Sequence, residues 1–393
     1  MTGRTWRGVA GTVVALALAA RVVAAFAMGG ALYFADEADY VDSADRLLAG
    51  GGFGPGYVRV PAYPLLLAAL RAVSPTTITG VRVLQAAAVA AGCLLVLLLA
   101  VRTFGRVTAL AAGVVYALDP MAVVGAGLLY PDAIAAVVLL GVVVLALAAA
   151  RYDDGARSAG VGLGLGILAQ LRPVGLVLVP VVAAWTALTV HATMNRRALH
   201  LLAVPVGCLV ALAPWTIRNY RVRGGFVPIA TAGIGAAPVP AGALEQDGVA
   251  RSLVREAWSD PTGFALHVGR EFRHFWELYP QRLATDNQKQ RVDLHEADPR
   301  LPLEPFAPPK TRDVVSAASF GPELLLAGVG MVLAWRSRRR ETALIAAIVL
   351  AYAAGYALFV GKLRYRITVL PLVFLFTGRA LAALVRRGTP ATR

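Results

Sequence analysis

What most constrains this chain is a succession of apolar runs approaching ~20 residues, the length a helix needs to cross a bilayer's hydrocarbon core. The first runs from about Val9 to Met28. Others lie near Val81–Val101, Ala133–Ala150, Leu199–Trp215 and Ala343–Val360, with shorter ones between them. In hydrocarbon every backbone N–H and C=O must find a partner within the chain, so such runs fold as helices. The expected fold class is therefore an all-α polytopic membrane protein. A hydrophobic content of 58% and a mean hydropathy of +0.65 agree.

The basic residues set the orientation. A net charge of +15 would point to nucleic acid in a soluble protein. Here the arginines gather at the ends of apolar runs, as the positive-inside rule requires, so no nucleic-acid partner is expected. Arg4 and Arg7 hold the N-terminus inside, and the first run reads as an anchor that stays in the membrane. Ten spans then alternate, at about 9–28, 81–101, 107–118, 133–150, 160–171, 174–190, 199–215, 320–335, 343–360 and 367–385, with both termini inside. Pro61 to Val73 is too short to span and reads as interfacial. Only three lysines accompany 35 arginines, the mark of a high-GC bacterial genome, so the expected location is a bacterial cytoplasmic membrane. Cys93 and Cys208 lie inside apolar runs, which excludes a disulfide framework.

Three parts are expected: a core of residues 1–217 that includes an external loop at 30–79, an external segment at 218–318, and C-terminal spans at 319–393. The acids support this. Five of the 23 Asp and Glu lie between Asp36 and Asp45, twelve fall in 218–318, and Asp119 and Asp132 also end up on the outer side. Polar chemistry is expected on that face.

Three constellations could carry it. In the stretch from Asp36 to Leu48, Tyr40, Val41, Ala44, Leu47 and Leu48 recur at helical spacing, and Asp36 can cap the helix. A carboxylate partly desolvated at the membrane edge has a raised proton affinity and can take a proton from an acceptor hydroxyl or amine. Asp36 and Glu37, fixed at the exit of a span, are the candidates; Asp39, Asp42 and Asp45 read as a solvated acidic face. Asp132 comes after Tyr130-Pro131 at the mouth of a span and is either an N-terminal cap or a functional carboxylate. Asp119, before Pro120, reads as a turn residue. Arg59, Arg172, Arg218, Lys362, Arg364 and Arg366 sit at outer span ends, against the positive-inside rule. Arginine suits bidentate phosphate contacts, so this set could surround a lipid phosphate at headgroup level. Single arginines there could instead snorkel; the run Lys362-Leu363-Arg364-Tyr365-Arg366 fits that reading less well. His267 and His274 read as packing or surface residues, and Gly162, Gly164 and Gly166 as a face for close helix packing.

The ordered set of motifs resembles a known family. Asp36-Glu37-Ala38-Asp39-Tyr40 after a first span, with Arg59-Val60-Pro61-Ala62-Tyr63-Pro64-Leu65 further along, looks like the first external loop of GT-C glycosyltransferases. The nearest resemblance is to glycosyltransferase family 39, with its protein O-mannosyltransferases and aminoarabinose transferases. Tyr130-Pro131-Asp132, the Gly164–Arg172-Pro173 span end, Pro214-Trp215-Thr216-Ile217-Arg218-Asn219-Tyr220 and Arg364-Tyr365-Arg366 have counterparts in the same order. The resemblance implies a GT-C bundle and an inverting transfer of sugar from a polyprenyl-phospho-sugar to a glycan, lipid or protein acceptor. Asp36 would be the base, and Glu37 and Asp132 would position the acceptor or a divalent cation. Arg59, Arg218, Arg364 and Arg366, with Lys362 beside them, would neutralise the leaving phosphate. Tyr40 and Tyr63 would belong to the acceptor loop. Ala62 and Asp119 depart from the family's usual Gly and Asn. A transporter or flippase for a lipid-linked or anionic substrate is the alternative, but it calls for paired broken helices in repeated halves, and the sequence shows no repeat.

Overall fold

The computed structural model describes residues 3–54, 56–74, 77–223, 226–229, 253–279 and 288–388. Much of the expected external segment, 230–252 and 280–287, lies outside them. The described residues are mainly helical, with no strand among them. The chain is a multi-pass α-helical membrane protein: among the described residues six helices are long and apolar enough to cross, or seven if a bent pair counts as one span.

The helices are α1 (Gly3–Met28), α2 (Ala35–Leu48), α3 (Ala62–Val73), α4 (Ile78–Ala90), α5 (Gly92–Thr103), α6 (Arg106–Leu118), α7 (Pro120–Gly127), α8 (Pro131–Tyr152) and α9 (Gly155–Leu171). After a 3-10 turn at Pro173–Val177 come α10 (Leu178–Thr189), α11 (Met194–Arg223), α12 (Pro261–Phe275), α13 (Gln288–Ala297), α14 (Pro309–Ser337) and α15 (Arg339–Ala357). A second 3-10 stretch, Leu363–Thr368, leads into α16 (Leu370–Gly388).

A helix stands at each of the ten expected span positions. Six pass on length and composition, counting α4 and α5 together, and α6 with α7 makes the seventh. Of the other three, α9 has 17 residues, the stretch 173–189 joins the 3-10 turn to α10, and α16 has 19 residues, as many as α15. The interfacial reading of 61–73 corresponds to α3, an apolar helix of 12 residues.

Two local features shape the bundle. The glycines of α9 let it lie directly against α11: a Cβ on Gly162 would land on the carbonyl oxygen of Val204, and one on Gly207 on that of Ala159. Small residues at such faces let helix backbones approach closely. The second feature is the 53° bend between α6 and α7. Asp119 caps α7 by accepting from the Ala122 N–H at 2.7 Å, more than the turn role expected of it. Across the bend the fully buried Arg21 of α1 donates to the carbonyl oxygens of Tyr116 at 2.7 Å and Ala117 at 3.4 Å. These acceptors are among those a helix end leaves without partners.

Candidate active site

The amphipathic helix expected after α1 is α2. Its N-cap is Phe34, two residues before the expected Asp36, with no side-chain cap. Asp36 therefore does not cap it. Its carboxylate sits in the first turn, facing arginines instead. Arg59 reaches Asp36 Oδ1 at 3.0 Å and Asp39 Oδ2 at 2.6 Å, and Arg364 Nη2 lies 3.6 Å from Asp36 Oδ2. Tyr130 donates its hydroxyl to Asp36 Oδ2 at 3.3 Å.

Arg364 has a second carboxylate. Its Nε lies 3.6 Å from Asp132 Oδ2, the oxygen that also takes a hydrogen bond from Arg172. Asp132 is in the first turn of α8, whose N-cap is Tyr130, and its buried Oδ1 has no partner. The Arg364 guanidinium lies over the Tyr130 ring, 3.8 Å from the centroid. Two acids from different helices are thus joined through one guanidinium. A divalent cation would need that same space, and Glu37, the third expected acid, points elsewhere. The residues present do not fit such a cation, and among the described residues no three of His, Cys, Asp and Glu come together.

The charges decide Asp36's state. Burial alone would raise its pKa, but Arg364, Arg59 and Arg172 outweigh burial and hold the carboxyl below its ordinary value. The raised proton affinity expected for Asp36 is therefore overturned. Desolvation is present, but three cations act against it.

Asp36 opens on a cavity of about 650 Å3. Lys362, Arg364 and Arg366 border the same space, as does Tyr130. Met28, Val124, Leu128, Ile367 and Leu370 make apolar walls, and Pro302 and Glu304 to Ala307 form part of the roof. Arg366 is the most unusual member. It is fully buried, donates to the Glu277 carbonyl oxygen at 2.6 Å, stacks 3.5 Å from the Phe320 centroid, and leaves Nε and Nη2 without partners. Burial pulls its pKa down to about 10, so it is still charged at neutral pH. The strap that carries these cations is held from outside the bundle: Glu271 of α12, itself buried, accepts from the Gly361 N–H at 2.9 Å. The sequence offered one hint of Glu271, an acid beside Phe272 and Phe275 on one helix.

Other expected residues lie elsewhere. Glu37 is fully buried and does not face the cavity. One oxygen accepts from the Leu129 N–H at 2.8 Å and pairs with Arg82 at 3.2 Å; the other accepts from the Tyr33 N–H at 2.7 Å. Arg82 also donates to the carbonyl oxygens of Gly127 and Ala31. Arg218 donates to the Gly54 carbonyl oxygen and lies on Trp215, holding the loop before Arg59 rather than entering the cavity. Tyr63 is buried and bonds Gln85 at 2.7 Å, and Tyr40 packs edge-on between Tyr63 and Tyr130. The acids read as a solvated face have partners too: Asp42 with Arg300 at 2.6 Å and Asp45 with Arg71. Arg82 and Arg21 escaped the sequence reading, though each is a cation at or inside a predicted span, a signal in itself.

The family model for dolichyl-phosphate-mannose-protein mannosyltransferases matches residues 58–217. ArnT from Cupriavidus metallidurans, solved with undecaprenyl phosphate, superposes with a TM-score of 0.61 and 18% identity over 97% of this chain and 60% of that one. The apo oligosaccharyltransferase of Archaeoglobus fulgidus gives 0.60 and 15% identity over 98% of this chain and 51% of that one. The chain has a GT-C fold. AglB of A. fulgidus with an inhibitory peptide and a dolichol-phosphate gives 0.56 and 16% identity over 96% and 50%. The chain thus spans half to three fifths of the length of these GT-C structures. No curated protein sequence matches it. The family match takes in Arg59, Asp132 and Arg172, while Asp36 and the Arg364 strap lie outside it.

Proposed function

We propose that the protein is a membrane glycosyltransferase. In this reading it moves a hexosyl or pentosyl unit, with inversion, from a polyprenyl-phosphate-linked donor to an acceptor at the outer face of a bacterial cytoplasmic membrane. One observation carries the reading: an ionised carboxylate, Asp36, and the cations Lys362, Arg364 and Arg366 border a single cavity whose surface is mainly apolar, with Asp119, Glu277, Glu304, Arg291 and Arg312 also in its lining. Such a space suits a phosphate with a hydrocarbon tail. The GT-C fold supports it, as do neighbours solved with undecaprenyl phosphate and dolichol-phosphate.

The chemistry comes from charge. Asp36 takes the proton of the acceptor hydroxyl, the oxygen attacks the sugar's anomeric carbon, and the bond from that carbon to the phosphate oxygen breaks with its electron pair leaving on the phosphate. The donor phosphodiester carries one negative charge and the released phosphate up to two, so charge grows where the cations are. Arg366, with two unpartnered nitrogens, and Arg364 stabilise that growth more than they stabilise bound donor, which is the condition for acceleration. An arriving phosphate also competes with Asp36 for Arg364, returning basicity to the carboxylate when it is needed. Asp132 holds Arg364 and Arg172 in place. Glu37, Arg218, Tyr40 and Tyr63 fix the loops that present Asp36 and Arg59.

The test uses purified protein in nanodiscs with radiolabelled polyprenyl-phospho-sugars. Wild type should pass label to an acceptor or water. Asp36→Asn should keep donor binding and lose ~10²–10⁴-fold in turnover, the usual range for a lost general base. Donor that binds or crosses without cleavage in either protein would replace the transferase with a lipid transporter.

A further inference from the structure

We propose that the end of the bundle opposite Asp36 carries a second anion site, for a phosphate group, with the headgroup of an anionic lipid as its source. A cavity of about 270 Å3 opens there between the α5–α6 turn, the α14–α15 turn and α16. Arg102, Arg338 and Arg379 come to it from these three places, and no carboxylate lines it. Among the described residues, none of the three guanidinium groups makes a hydrogen bond or ion pair. Thr103 and Ser337, which also line the cavity, spend their hydroxyl hydrogens on the carbonyl oxygens of their own helices. The starts of α6 and α15 add to the field: their N-cap residues, Gly105 and Arg338, line the cavity, and neither start has a side-chain cap.

The ordinary account of such arginines is orientation by charge at span ends. It covers Arg102 and Arg338, at the last turn of α5 and between two helices. Arg379 does not fit it. This half-buried residue lies nine positions before the end of α16, about 13 Å along the axis at 1.5 Å per residue. From inside a helix it reaches the same cavity as Arg102 and Arg338, so three cations meet there without a carboxylate in the lining.

Three forked donors from separate segments match the tetrahedral oxygens of a phosphate. The cavity is large enough to hold several waters, and so has room for a phosphate group. Val329, Met331 and Val332 are exposed near the end of α14 and offer an acyl chain an apolar track. Basic pockets between spans at a membrane surface characteristically take anionic headgroups.

The experiment measures thermal unfolding of the full chain in detergent as phosphatidylglycerol, phosphatidylcholine or inorganic phosphate is added. Phosphatidylglycerol should raise the Tm of wild type by several degrees, as a ligand of the folded state does, and phosphatidylcholine should not. The triple variant Arg102→Gln, Arg338→Gln, Arg379→Gln should lose the shift, while the charge-matched triple Arg4→Gln, Arg7→Gln, Arg336→Gln keeps it. Equal loss in both triples would overturn the site, leaving only general attraction to charge. A shift of the same size from inorganic phosphate would overturn the lipid source in favour of a soluble phosphate. Native mass spectrometry of wild type, which needs no folded variant, should show phosphatidylglycerol retained at least about fivefold over phosphatidylcholine. Equal retention of the two would also overturn the proposal.

Discussion

Asp36 and Arg364 define the chemistry at the scale of single residues. The base works only when ionised, and its pKa is depressed, so loss of activity on acidification should come below the ordinary carboxylate range. Arg364→Gln removes the largest of the cations acting against burial. The acid limb of the pH–rate profile should then move upward, toward neutral pH, and an unmoved limb would remove Asp36 as the titrating base. Asp36, Arg364 and Arg366 were legible in the sequence because charged side chains beside long apolar runs stand out. Their mutual arrangement was not. That one guanidinium serves two acids depends on residues 232 and 328 positions apart, which no local spacing reveals.

At the scale of elements, the same limit explains Glu37. Its place next to Asp36 suggested a shared task, yet successive residues on a helix point about 100° apart, so one faces the cavity and the other the core. The partner that makes its burial tolerable, Arg82, comes from α4. Glu37→Gln leaves that cation buried without its acid, a loss of about 3–5 kcal/mol, and the Tm in detergent should fall by roughly 6 °C or more. A fall of a degree or less would remove the pair from any structural role. The glycines of α9 were read correctly because a run of small residues in an apolar helix has few other uses. Gly207, their counterpart on α11, lacked a run to mark it. Gly207→Ala should push the helices apart at about 1–3 kcal/mol, visible as a Tm loss of several degrees with the cavity's donor affinity little changed.

For the whole molecule, the two ends differ in kind. Both carry arginines, but at one end they meet carboxylates around a mainly apolar cavity, and at the other Arg102, Arg338 and Arg379 line a cavity with no carboxylate. Arg366→Ala should therefore weaken binding of a polyprenyl-phospho-sugar by at least tenfold, while Arg336→Ala, at the far end, leaves it unchanged; equal effects in a donor-binding titration would remove Arg366 from the phosphate site. Hydropathy read the fold class and the positions of the helices well, because lipid permits so few structures. Helices stand at the three remaining expected positions too, with 17 residues at 155–171 and 19 in α16, and the stretch 173–189 joins a 3-10 turn to α10.

Arg21 shows what this architecture asks of synthesis. It sits inside the first apolar helix, yet its acceptors at Tyr116 and Ala117 are made some 95 residues later. A lone arginine at the centre of an inserting helix costs about 2.5–3.5 kcal/mol. Within its own helix Arg21 finds the Ala17 carbonyl oxygen, so the rest of its pairing waits for the sixth helix. Order of emergence from the ribosome, and not packing alone, then determines when the cavity can form: its far wall starts to assemble only once that early helix has met a partner it could not have had at birth.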